Sequence, residues 1–190
     1  MNLSSEQVHW IGGVAFCAVA LLLLIRQLQN STGAWWDALL PLLFIGYGLE
    51  SFVDLWVHGS AVPADYARES RQHLWQGGAL LVAGIIQGLA ARGTLRHWAW
   101  QLATPFGLAV LAVGFAVHAQ HGTSEIGMLL MSTQHRAFAI ALGLAAAART
   151  VSLLPLRNAR TLEAAWLVAL LNFGLLMLSY RESAPVMTHD

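Results

Sequence analysis

Six runs of apolar residues follow one another along the chain, each bracketed by arginine, histidine or acidic positions and by aromatic residues. They cover Val8–Ile25, Trp35–Val57, Leu74–Ala91, Trp98–Val117, Met128–Leu153 and Leu162–Leu178. A membrane-crossing helix needs roughly 20 mostly apolar residues, because hydrocarbon offers no water to its backbone. The pattern therefore predicts an all-α, polytopic integral membrane bundle of about six transmembrane helices. The connecting stretches are short, so sequential helices are expected to be antiparallel neighbours, with helical hairpins as the building unit. A single domain over 1–182 and a short polar tail over 183–190 follow.

Composition agrees with the pattern. Of the 190 residues 57% are hydrophobic and 11% charged, against about 25% charged in a soluble globular domain. Formal charge is zero, which leaves no basic surface for nucleic acid. The expected partners are the lipid bilayer and further copies or subunits in the membrane. The lone cysteine, Cys17, lies in the first apolar run and reads as a small packed hydrophobe. The N-terminus has neither a basic leader nor a small-residue cleavage site, so its first run reads as a retained helix. Trp10, Trp35, Trp36, Trp56, Trp75, Trp98, Trp100 and Tyr180 fall near run ends, as an interfacial aromatic belt does.

All ten cations are arginine. Arg26, Arg92, Arg96, Arg149, Arg157 and Arg160 flank the odd-numbered loops, and Arg68, Arg71, Arg136 and Arg181 the other side. Positive residues stay cytoplasmic, so the bias puts both termini outside, periplasmic in a bacterial inner membrane.

Most histidines then fall at the outer face. Glu50, Asp54 and His58 recur every fourth residue and form one stripe on the second helix. At 1.5 Å per residue, Glu50 lies about 12 Å deeper than His58. Carboxylates at such depth need partners, which by default marks a functional site. The plain alternative is a structural pairing of the stripe with Arg68, Arg71 or Arg136. His73 opens the third run, His118 and His121 close the fourth at a three-residue spacing, His135 lies early in the fifth, and His9 opens the first. Met128, Met131 and His135 share one face.

Imidazole with carboxylate and thioether suits copper, and the expected ligands are Asp54, His58, His73, His118, His121 and His135, with Glu50 beneath them. Haem b is the first alternative, held between histidines with Arg68, Arg71 and Arg136 meeting its propionates. Zinc is the second, as a membrane hydrolase with Glu50 or Asp54 as base. Beyond Glu50 the inward polar residues are scattered (Gln87, Gln101, Asn172), so binding or redox service is expected rather than transport. Asp54-x3-His58 followed by His73 also locally resembles the Asp-x3-His…His copper site in the membrane C subunit of particulate methane and ammonia monooxygenases. The resemblance covers one helical pair and implies copper.

Overall fold

The computed structural model describes residues 4–57, 66–118 and 125–182, and for 53–57 and 66–69 the backbone path alone. Among the described residues there are six α-helices and no strand: α1 (Ser5–Gln29), α2 (Ala34–Val57), α3 (Tyr66–Ala91), α4 (Ala103–Ala116), α5 (Glu125–Ser152) and α6 (Ala159–Leu178). A single 3-10 turn, Trp98–Leu102, leads into α4.

Local chemistry sets the ends. Ser4 and Gln7 form a reciprocal capping box at the start of α1, with Gln7 N donating to Ser4 Oγ at 3.2 Å and Ser4 N to Gln7 Oε1 at 2.9 Å. Asn30 closes α1 in the left-handed region at φ 50°, a conformation asparagine tolerates. Pro155 follows the end of α5, where it cannot continue a helix.

Among the described residues four stretches are long and apolar enough to cross a membrane: Ser5–Gln29, Ser70–Ala91, Trp98–Ala116 and Ala159–Leu178. The sequence pattern predicts six. The described part of α2 carries Asp37, Pro41 and Glu50, α5 carries Gln134, His135, Arg136 and Arg149, and both fall outside the four.

From α2 to α6 each helix packs on the next, and α1 closes the ring on α6 while touching α2 lightly. Glycines permit the tightest approaches. A Cβ at Gly77 would stand 2.6 Å from Ser51 Cβ and 2.9 Å from the Gly48 carbonyl, and one at Gly84 would stand 2.9 Å from Pro41 O, so α2 and α3 meet backbone to backbone. Gly13 and Gly174 do the same for α1 and α6, where a Cβ on Gly174 would lie 2.7 Å from Cys17 Sγ. Cys17 is buried there as a free thiol, as expected.

At the centre the rings of Phe16, Phe138 and Phe173 meet edge to face: Phe16 to Phe173 at 4.9 Å and Phe138 to Phe173 at 5.8 Å between centroids. Leu80, Leu108, Leu142 and Leu170 are fully buried in the same core. This apolar middle separates two polar ends. Outward, Leu42, Phe106, Ile140 and Leu144 are exposed.

The close approach of α2 and α3 yields a stability prediction. Gly77→Leu should destabilise the bundle by about 1–3 kcal/mol, the usual cost of overpacking. Gly46→Ala meets nothing within 4 Å and should hold or raise stability, by up to about 1 kcal/mol, through better helix propensity. Thermal unfolding in detergent followed by tryptophan fluorescence reads both, and equal midpoints would contradict the packing described.

Candidate functional site

Side chains from α1, α3, α4 and α5, and from the segments that follow α4 and α6, meet at one end of the ring. His73, in the second turn of α3, faces His118, which lies just beyond α4, and their Nε2 atoms are 3.1 Å apart. Gln72 fixes this meeting, because its buried amide donates from Nε2 to the Val117 carbonyl at 2.8 Å. The His118 ring lies flat against His135, with centroids 4.7 Å apart and planes 6° from parallel. His135, from α5, is 3% exposed. Phe115 stacks near it at 5.4 Å, and Phe138 and Tyr180 present ring edges. His9, from α1, stands 5.8 Å from His135 and stacks on Tyr180 at 3.9 Å.

The chain after α6 is tied down around these rings. Trp10 Nε1 donates to the Tyr180 carbonyl at 3.1 Å, and the Arg181 guanidinium lies over the Trp10 ring at 4.7 Å. Gln134 makes a two-way bond with the Arg181 backbone, at 2.7 and 2.9 Å, and Glu182 N donates to Glu6 Oε1 at 2.9 Å. Residues 180–182 therefore hold α1, α5 and α6 together at this end.

Two tautomers follow from geometry. His9 Nδ1 lies 2.8 Å from the Ser5 carbonyl and His135 Nδ1 2.9 Å from the Met131 carbonyl. A carbonyl oxygen only accepts, so each Nδ1 carries the proton and, in the neutral ring, Nε2 carries the lone pair. Histidines that bind metals are oriented in this way, through the N–H opposite the ligating nitrogen. The His73–His118 contact needs one lone pair and one proton between its nitrogens, or a cation in the proton's place. Two nitrogens 3.1 Å apart, each about 2.0–2.1 Å from a common metal, subtend an angle of about 100° there.

Of the predicted ligands, His73 and His118 come within that reach, and His135 joins them as a stacked ring. A metal in the plane of His118 would lie off the plane of His135. Glu50 is half-buried on α2. The side chains of Asp54, His58, His121 and Arg68 lie outside the described residues, and Arg71 and Arg136 are exposed. Among the described residues no group of three or more His, Cys, Asp or Glu side chains is arranged to hold a metal ion. Met131 is packed into the hydrophobic core and Met128 is partly exposed, so the shared face read from sequence does not give His135 two thioether companions.

Three contributors escaped the sequence reading. Tyr180, expected in an interfacial belt, is 2% exposed and stacked on His9. Gln72 and Phe115 give no sequence signal beyond lying one residue before His73 and three before His118. Helical spacing places such residues near a site, although it cannot say which of them turn inward.

Comparison of the chain with protein-family models, with characterised proteins and with solved structures gave no match.

The tautomers are directly observable. In protein labelled with nitrogen-15 at histidine, His9 and His135 should show a protonated Nδ1 and a pyridine-like Nε2 at neutral pH by solid-state NMR. The reverse pattern would contradict the carbonyl bonds.

Proposed function

We propose that this chain is an integral membrane protein that binds a metal ion, copper by preference, at the histidine-bearing end of its bundle. The observation that carries the reading is the facing pair of ε nitrogens on His73 and His118, 3.1 Å apart. Copper is favoured because Cu²⁺ binds a given nitrogen and oxygen site more tightly than the other divalent first-row ions. Asp54, His58 and His121, expected ligands from the sequence, complete the set, whereas His135, also expected there as a ligand, takes a supporting place. His135 orients His118 by stacking, and Glu50 stands beneath as a carboxylate partner.

All six helices cross the membrane in this reading, as antiparallel hairpins. In its support, α2 and α5 have 24 and 28 residues, enough at 1.5 Å each for a core of about 30 Å. Both also turn large apolar side chains outward, Leu42 and Leu49 from α2 and Ile140 and Leu144 from α5. The arginine bias assigns the histidine end to the periplasmic side of a bacterial inner membrane. The aromatic middle favours binding or redox service at that face over passage of the ion through the bundle.

Copper is preferred to haem because two axial ligands on opposite faces of one flat macrocycle cannot approach as closely as His73 and His118 do. No observation singles out a water-activating base, so hydrolysis ranks below both.

Metal content and the visible spectrum of detergent-purified protein test the proposal. Stoichiometric copper without a Soret band is expected, with nitrogen hyperfine structure in the Cu²⁺ electron paramagnetic resonance. His73→Ala and His118→Ala should each weaken copper by more than about 100-fold, and His135→Phe by about tenfold, as outer-shell changes do. No bound copper after copper-replete expression, or equal affinity in all three variants, would overturn it. A Soret band would move the assignment to haem, and zinc alone to the hydrolase.

A further inference from the structure

The end opposite the histidines holds a cavity of about 630 Å³ between the last turns of α1, α3 and α5 and the first turns of α2 and α6. Three guanidiniums and two carboxylates line it. Arg26 pairs with Asp37 at 2.7 Å, and Arg149 pairs closely with Glu163. Arg160 is different: its Nη2 donates to the Gln27 carbonyl at 3.1 Å and to Asn30 Oδ1 at 2.8 Å, both neutral, and among the described residues to no carboxylate. The wall therefore carries one unit of positive charge in excess.

Its hydrogen bonding is also incomplete. Trp166, 2% exposed, and Arg149, whose side chain is 14% exposed, both line the cavity. Trp166 Nε1 and Arg149 Nε are buried donors with no acceptor among the described residues, and Gln27 Oε1 is a buried acceptor with no donor. Buried polar groups are nearly always satisfied, so three exceptions around one cavity call for an explanation. An anion with acceptor oxygens would answer the surplus charge, and a hydroxyl beside it suits a wall whose residues carry both donors and acceptors. Leu23, Leu40 and Leu167, themselves part of the core, close its apolar side.

We propose that this cavity binds a singly charged phosphate group accompanied by a hydroxyl. A phospholipid with a glycerol headgroup and dihydrogen phosphate share that chemistry. Binding here is independent of any metal at the far end, and it uses cations that cannot lose their protons.

The full-length protein in detergent tests it by native mass spectrometry with phosphatidylglycerol or phosphatidylcholine, and by equilibrium dialysis against radiolabelled inorganic phosphate. One phosphatidylglycerol per chain is expected, with phosphatidylcholine at least about tenfold weaker, the scale of one charge-assisted contact. Arg160→Gln, at an exposed position, should lose about tenfold with an unchanged unfolding midpoint, and Trp166→Phe should lose severalfold while keeping its ring. Saturable phosphate binding that competes with the lipid identifies a free anion as a ligand, and lipid binding alone identifies the headgroup. Equal binding of the two lipids, no binding of any probe, or no effect of Arg160→Gln would overturn the proposal.

Discussion

The bundle is organised around the column of rings that meets at Phe173. Phe16 and Phe138 meet that ring edge to face, while Phe115 tilts toward it and lies face to face with His135. Edge-to-face contact adds a favourable quadrupole term to the burial of large apolar surface. Its larger consequence is geometric. Rings at fixed angles space α1, α4, α5 and α6 around one apolar point and commit the histidine and arginine clusters to its two sides.

At one end the commitment is made with imidazoles. A histidine can be neutral, and a neutral ring enters a dry environment at far lower cost than an ion. His135, about 15 Å along α5 at 1.5 Å per residue, is buried among rings with its Nδ1 proton held by Met131 O. His9 repeats the device with Ser5 O. A backbone carbonyl one turn earlier is available at almost any position in a helix, so the tautomer is set without a carboxylate. In the neutral rings of His9 and His135 Nε2 then carries the lone pair, and Gln72 locks α3 against the end of α4 where His73 and His118 meet.

The helices were legible in the sequence because long apolar runs leave little ambiguity, and all six expected runs coincide with helices. Their ends were less legible. α3 starts at Tyr66, well before the apolar run at Leu74, because a polar turn continues a helix as readily as an apolar one. The gathering of His9, His73, His118 and His135 at one end followed from topology, but depth and facing did not. His135 was expected near a surface and is buried. Tyr180 had the composition of an interfacial residue, and only the fold of residues 180–182 onto α1 and α5 turns it inward. Arg26, Arg149 and Arg160 carried orientation information in sequence, and nothing in their spacing says that they line one cavity.

The two ends thus solve one problem with opposite chemistry. Arginine keeps its proton, so its guanidinium is answered by oxygen: Arg26 and Arg149 take carboxylates, and the exposed Arg160 takes two neutral acceptors. Imidazole can release its proton and then becomes a ligand. The arginine end therefore holds fixed charge, each guanidinium answered by oxygen, while the histidine end is built from rings and backbone carbonyls.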